Sequence, residues 1–310
     1  MKKVNEIVLK TRNLSKNYIN KSAVNNLNMT IKKGDIYGLV GKNGSGKTTL
    51  IRMILSLTNE SDGEIELFDK VRVEDRIKDH SRIGAIVETP SFMPKLTARQ
   101  NLEYYRIQKG IPNKECIEEL LNLVGLNKVK DKRVKGFSLG MKQRLGIALA
   151  MLGDPEFLIL DEPINGIDPM GIKEIRDVLK KLNKVKNTTI LISSHILGEL
   201  SQLATCYGFI NDGILIEEIS AKDLNDKCKN YISVKVDNLE KSCAILESLN
   251  CSSYDVLNNG FIRVYDFLDE PYIINQELIK NGIRVYSLQT MGTSLEEYFI
   301  NLIGGGDNNA

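Results

Sequence analysis

Gly41-Lys42-Asn43-Gly44-Ser45-Gly46-Lys47-Thr48-Thr49 follows the apolar run Ile36-Tyr37-Gly38-Leu39-Val40, which reads as a buried strand. It leads into Leu50-Ile51-Arg52-Met53-Ile54-Leu55, which reads as a helix. Strand, glycine-rich loop, Lys-Thr and helix is the P-loop arrangement, and Gly41, Gly46, Lys47 and Thr48 meet its spacing G-x-x-x-x-G-K-[ST]. Glycines at 41, 44 and 46 let the backbone pass through positive φ. Successive N–H groups of the loop, those of Asn43, Ser45 and Thr49 among them, can then turn inward on phosphate oxygens. The helix that starts near Lys47 adds its positive end to the same place. In this reading Lys47 reaches the β- and γ-phosphates and the Thr48 hydroxyl ligates Mg²⁺. A glycine-rich strand-to-helix turn with no ligand is the plainer alternative, and the flanking strand and helix together favour the nucleotide.

Composition bounds the rest of the chain. Its 310 residues suffice for two domains, and an apolar share of 42% is ordinary for globular protein. A formal net charge of +2 argues against a dedicated nucleic-acid binder. Cys116, Cys206, Cys228, Cys243 and Cys251 form no C-x-x-C pair, so reduced thiols of an intracellular protein are expected. No apolar run approaches the ~18 residues of a membrane span, and Met1-Lys2-Lys3 is not followed by a signal-peptide core. The chain by itself is expected to be soluble. No internal repeat of about 20–50 residues is visible.

Alternation of apolar and polar residues from Val8 through Val24 and Ile31 predicts antiparallel strands before the glycine loop. Tyr18 lies there, and an aromatic face upstream of a P-loop can stack on a purine; a tyrosine on a half-buried strand is the other reading. After the first helix come a turn at Glu60–Glu64, strands at Ile65–Phe68 and Ile83–Val87, and the loop Glu88-Thr89-Pro90. From Thr97 to about Leu126 the spacing is helical, punctuated by Pro112 and Gly125. The basic run Lys128–Lys135 reads as a solvated loop, because no aromatic residues are interleaved to stack on bases. Ser138 has the place of an N-cap for a long apolar helix from Phe137 to Leu152, with Gly140 in its first turn.

Phe157-Leu158-Ile159-Leu160-Asp161-Glu162 runs four apolar residues straight into two carboxylates. The apolar run fits a central strand of a parallel sheet, at whose carboxyl end ligands bind. Asp161 is placed to hold Mg²⁺, and Glu162 to polarise an attacking water as general base. Asn165-Gly166-Ile167-Asp168-Pro169 forms a tight loop before a helix beginning near Gly171. A further buried strand, Thr189–Ser193, runs into Ser194-His195, which places His195 to donate to a γ-phosphate. His80 has no such context and reads as surface. Beyond Asp223 the order β-α-β-β-α-β, with a hairpin at Asn258-Asn259-Gly260 and one extra helix, suggests a small ferredoxin-like α+β domain. Gly304–Ala310 is expected to be a disordered tail.

With these motifs in order, the chain resembles the ATPase subunits of ABC transporters over roughly residues 4–220. Tyr18 looks like the adenine-stacking aromatic, Gly41–Thr49 like Walker A, and Ser138-Leu139-Gly140-Met141-Lys142 like the ABC signature. Phe157–Glu162 looks like Walker B with its catalytic Glu, Asn165–Asp168 like the D-loop, and His195 like the switch histidine. The resemblance implies an α/β P-loop NTPase of the ABC type. Its parallel core sheet carries an antiparallel N-terminal β subdomain and a helical subdomain at about 90–153, all within 1–222. An accessory α+β domain at 223–303 and the tail at 304–310 follow. It further implies ATP and Mg²⁺, and a head-to-tail pair of subunits (homodimer or close paralogue) in which Ser138, Gly140 and Asp168 act across the interface. Integral membrane permease subunits, no nucleic-acid partner, and a peripheral place at the inner face of the cell membrane are also implied.

Two motifs depart from the family pattern. Leu139 and Met141 replace a Gly and the Gln of Leu-Ser-Gly-Gly-Gln, leaving the phosphate-facing Ser138 and Gly140. Glu88 stands where most members have a Gln that contacts metal and water and touches the membrane subunit. The string GAIVETPSFMPKLTARQNL is similar to the branch that exports or expels peptide antibiotics, including bacitracin-resistance and lantibiotic self-protection ATPases. Ser294-Leu295-Glu296-Glu297-Tyr298-Phe299 resembles the end of drug-export ATPases of that type. A soluble ABC-type ATPase acting on ribosomes or DNA is the competing class, opposed by the lack of a coiled-coil insertion or a tandem ATPase unit. An ATPase driving a non-transporting membrane sensor is a third.

Overall fold

The N-terminal alternation forms β1 (Ile7–Tyr18), β2 (Lys21–Leu27) and β3 (Thr30–Lys32), with β2 and β3 both antiparallel to β1. β4 (Ile36–Val40) and α1 (Lys47–Ile54) flank the glycine loop, and β5 (Asp62–Leu67) returns to pair with β1. The antiparallel sheet therefore holds β2, β1, β3 and β5. Then come α2 (Val73–Lys78), β6 (Ile83–Ile86), α3 (Ala98–Gln108), α4 (Cys116–Leu123) and α5 (Leu139–Ala150). β7 (Phe157–Leu160), α6 (Pro169–Lys186), β8 (Thr189–Ser194), α7 (Leu197–Leu200), β9 (Cys206–Asn211) and β10 (Ile214–Ser220) follow. This is a computed structural model describing residues 6–19, 21–257, 259–292 and 295–304. It divides into two compact units, Met1–Ala221 and Lys222–Ala310.

The second sheet of the first unit has the order β10-β9-β4-β8-β7-β6, parallel except for β10. β4, β7 and β8 are buried along their whole length, as uninterrupted apolar runs require when both faces of a sheet are covered. Their register aligns Gly38 with Ile192, Ile192 with Leu160, and Leu160 with Ile86. The residues just beyond that row, at 41, 88, 161–162 and 195, therefore leave the sheet at one edge. α1 packs Leu50, Ile51, Met53 and Ile54 into a cluster shared by Leu9, Leu14 and Ile65 of the antiparallel sheet and by Leu39 and Ile159 of the parallel one. Each such side chain stabilises by about 1.5–3 kcal/mol, so the helix behind the glycine loop is clamped from both sides.

The sequence reading assigns no element to residues 196–222, where β9 and β10 form a hairpin. Its signal was present: Asp212-Gly213, with both residues at positive φ, is the turn that matches the twist of a two-residue hairpin. α6 begins at Pro169, two residues before the expected start, because proline is pre-set for the first helical position. In the helical region α3 opens with a capping box between Thr97 and Gln100. Buried Asn101 donates to the carbonyls of Met93 and Thr97 and accepts from the Met93 amide, pinning the chain that enters it.

The second unit contains α8 (Ala221–Lys227) at the division, then β11 (Tyr231–Val236), α9 (Leu239–Ser248), β12 (Tyr254–Leu257) and β13 (Phe261–Val264). α10 (Pro271–Lys280), β14 (Val285–Met291) and α11 (Leu295–Gly304) complete it. Its antiparallel order β12-β13-β11-β14 is that of a ferredoxin-like sheet. Ile232 and Val234, Ile262 and Val264, Leu246 of α9 and Ile274 of α10 form its core. Within the hairpin expected at Asn258-Asn259-Gly260, Asn258 lies outside the described residues, as do Ser294 and the tail beyond Gly304.

Candidate functional site

Gly44 and Gly46 take the positive φ expected of the loop, whereas Gly41 does not and is held to glycine by close approach alone. Gly46 has φ +108, and a Cβ there would lie 2.4 Å from the Ala23 carbonyl oxygen; at Gly41 it would lie 2.4 Å from that of Ile210. Gly46 is also the N-cap of α1, with no side-chain cap and no acid in the first turn, so the helix's N–H groups and positive end stay open toward the loop. The Gly41 amide donates to the Ser194 carbonyl, tying the loop to the end of β8. Tyr18, Lys21, Ala23, Asn43, Gly44, Gly46, Lys47, Thr48, Thr49 and Glu162 line a cleft of about 370 Å³.

Lys47, Thr48, Asp161, Glu162 and His195 are joined in one hydrogen-bonded network. Lys47 is 4% exposed; its Nζ donates to the carbonyls of Gly41 (2.7 Å) and Lys42 (3.1 Å) and pairs with Glu162 Oε1 at 3.2 Å. The Thr48 hydroxyl donates to Asp161 Oδ2 at 2.8 Å. Ser193 Oγ donates to Asp161 Oδ1 at 2.7 Å and accepts from the Glu162 amide at 2.9 Å. His195 Nδ1 lies 3.0 Å from Glu162 Oε2, where an ionised carboxylate accepts its proton, and Asn165 Nδ2 donates to the same oxygen at 3.3 Å. Glu162 has φ 45, a left-handed conformation that costs a non-glycine residue about 1 kcal/mol and turns its carboxylate toward Lys47.

Ser193 and Asn165 hold the two carboxylates, and sequence reasoning gave neither that task. Ser193 is one of two serines that close β8, and the sequence carries no signal that separates it from Ser194. Behind His195, burial pushes the Glu199 carboxyl above its usual range, against the Ser194 hydroxyl that donates to it at 3.2 Å. Among the described residues no three His, Cys, Asp or Glu side chains surround a common point. The Thr48 hydroxyl and the Asp161 carboxylate are in direct contact at the foot of the glycine loop.

The remaining candidates lie outside this hydrogen-bonded network. Tyr18 is at the cleft, 51% exposed, with the Lys16 ammonium 5.3 Å from its ring centroid. Ser138 is the N-cap of α5 and accepts from the Met141 amide; Asp168 occupies the N-cap position of α6 without a capping bond. Ser138, Gly140 and Asp168 do not line the cleft. They are near one another, since a Cβ on Gly140 would touch Ile167 at 3.4 Å. Glu88, expected at the metal, has φ +63 and directs its carboxylate to Arg52 Nη2 at 2.5 Å. His80, read as surface, is half-buried with Nε2 shielded and without a partner among the described residues, and burial, with Arg76 nearby, pulls its pKa down.

A phosphate-cradling loop, a helix N-terminus and two carboxylates at the end of one parallel sheet define a P-loop nucleotide hydrolase. Residues 24–165 match the ABC transporter family. The chain is 45% identical over 300 residues to the bacitracin transport ATP-binding protein BcrA of Bacillus licheniformis, covering 96% of this chain and 98% of that one. It is 43% identical over 211 residues to the lantibiotic transport ATP-binding protein SrtF of Streptococcus pyogenes, covering 68% and 90%. Among solved structures it is similar to the ATP-binding cassette MJ0796, a dimer bound to ADP and Pi. That likeness has a TM-score of 0.61 at 25% identity and covers 69% of this chain and 98% of that one. The chain belongs to the ABC transporter family of ATP-binding ATPase subunits.

Proposed function

We propose that this chain is the ATP-hydrolysing subunit of a multi-chain ABC exporter that drives a peptide antibiotic or similar amphiphile through separate membrane subunits. The observation that carries the cargo class is the likeness along nearly its whole length to a bacitracin transport ATP-binding protein. Among the described residues no helix is long and apolar enough to cross a membrane, in keeping with a pore supplied by other chains.

In the hydrolytic step Glu162 takes the proton of the attacking water, held for that task by Asn165 and His195. Lys47 exchanges its present partners for the β- and γ-phosphates, and the open N-terminus of α1 receives the remaining negative charge. Tyr18 offers its exposed face to the base. The Thr48 hydroxyl and the Asp161 carboxylate, hard oxygen donors 2.8 Å apart, fit Mg²⁺, which when bound neutralises phosphate charge. Ser138, Gly140 and Asp168, which stand away from this chain's own cleft, serve the nucleotide of a second subunit. Loss of the γ-phosphate then removes contacts that favour the closed pair.

The chain is expected to sediment with membranes when co-produced with its permease subunits. A cysteine introduced at Phe92, in the segment between Glu88 and α3, should crosslink to an integral membrane subunit. Efflux of labelled bacitracin that depends on hydrolysable ATP would support the cargo class. Crosslinks confined to ribosomal or other soluble proteins would replace the exporter reading with the soluble class.

A further inference from the structure

We infer that Arg52 is a positioning residue for the nucleotide site, holding Glu88 in place and cancelling its charge; this rests on the ATPase reading above. Glu88 leaves the parallel sheet at the edge where the triphosphate is to sit, and a bare carboxylate there opposes an anionic substrate. Its carboxylate meets the Arg52 guanidinium at 2.5 Å, and among the described residues no other side chain pairs with it. Arg52 is on α1, four residues after Thr48, so it shares a helix face with the hydroxyl expected at the metal. The charge that cancels Glu88 therefore rides on the same rigid helix whose N-terminus receives the phosphates.

The loop is fixed at its other end too. Pro90 sits so close to α5 that a Cβ on Gly146 would lie 2.6 Å from it. Glu88 itself adopts a left-handed φ of +63, uncommon for a residue with a long side chain. The segment 88–90 thus spans from the phosphate-binding helix to the helix capped by Ser138, with the Arg52–Glu88 pair as its attachment to α1. With the two side chains 44% and 65% exposed, the pair adds little to folding stability. Its consequence lies in where Glu88 is held when nucleotide arrives. A Gln at position 88 makes no such demand on Arg52, so the two residues are a matched set.

The test is a double-substitution cycle on the full chain, with steady-state ATPase and fluorescent-ATP binding measured over a range of MgCl₂ and NaCl. Arg52→Gln leaves Glu88 uncompensated and is expected to raise the KM for MgATP about threefold to tenfold, with a smaller change in kcat. That defect should shrink as salt rises, since a freed surface charge is screened. Adding Glu88→Gln to Arg52→Gln should bring KM back to within about twofold of Glu88→Gln alone, and Arg52→Lys should retain most of the wild-type value. Equal defects in Arg52→Gln and the double variant would overturn the inference, because Arg52 would then act without Glu88. So would a flat cycle at every salt concentration. Failure of the wild-type chain to bind or hydrolyse MgATP would instead remove the ATPase reading itself, which separates the two.

Discussion

E162Q should lose turnover and gain affinity, and the second effect comes from the Lys47 contact. Lys47 Nζ and Glu162 Oε1 are 3.2 Å apart, and the two side chains are 4% and 23% exposed. A unit charge pair at that distance attracts by about 5 kcal/mol at an effective dielectric near 20. Both ions give up hydration to form it, and Glu162 keeps some solvent, so the net contribution is about 1–2 kcal/mol. Nucleotide binding must redirect Lys47 to the phosphates against that attraction. Replacing the carboxylate with an amide of the same shape removes the competitor, so MgATP should bind about 5- to 30-fold more tightly. The same change removes the base, which costs about 10²–10⁴-fold in rate. Phosphate release under saturating MgATP and equilibrium titration with a fluorescent ATP analogue measure the two effects on one preparation. Turnover within tenfold of wild type would refute Glu162 as base. Unchanged affinity with lost turnover would refute the competition for Lys47.

Arg76 is fully buried and pairs with Glu60 at 2.8 Å, while its Nε and Nη1 have no partner among the described residues. Glu60→Gln should therefore cost about 3–5 kcal/mol of stability in thermal or urea melts, and Glu60→Leu with Arg76→Met should recover most of it; an unchanged Glu60→Gln melt would refute the pairing. Glu218 accepts from the Thr30 amide at 3.0 Å on the solvent-exposed edge strand β10, and partial desolvation raises its carboxyl pKa against the pull of that amide, of the Tyr37 hydroxyl and of Lys32, an effect that solvent screening keeps small. The folded chain then holds this proton more tightly than the unfolded one, so stability present below the usual Glu pKa is lost as pH rises through the raised value. E218Q should accordingly melt about 1–2 °C above wild type near pH 8 and converge with it toward about pH 4–5, whereas parallel curves across that range would contradict the shift.

Local spacing in this chain was sufficient to name the elements that meet at the site. The run Phe157–Leu160 has no polar face to show to water, so it reads as a central strand before any partner strand is known. Gly41, Gly44 and Gly46 ahead of Lys47-Thr48 carry the same kind of message, Gly44 and Gly46 because the turn needs positive φ and Gly41 because the Ile210 carbonyl leaves no room for a Cβ. The ferredoxin-like order of the second unit was legible for a related reason: strand and helix periods alternate cleanly, and Asn259-Gly260 marks the hairpin. In the first unit the hairpin of β9 and β10 was missed, and for β10 the period is weak. β10 alternates between exposed and half-buried residues along the edge of the parallel sheet, and only the Asp212-Gly213 turn announced it.

Contacts between residues far apart in the chain belong to the tertiary structure alone. Thr48 and Asp161 are 113 positions apart and meet at 2.8 Å because β4 and β7 lie on either side of β8, with their carboxyl ends in register. Ser193 bridges Asp161 and Glu162 by the same register, and no local pattern distinguishes it from any other strand-end serine. The partner of Glu88 was equally hidden: Arg52 reads in sequence as the polar face of a helix, and only the folded chain brings its guanidinium to a carboxylate 36 positions away. Hydrophobic period is a property of neighbours along the chain and can be read from them. Which polar side chains meet is decided by strand order and register, and these follow from packing the whole core.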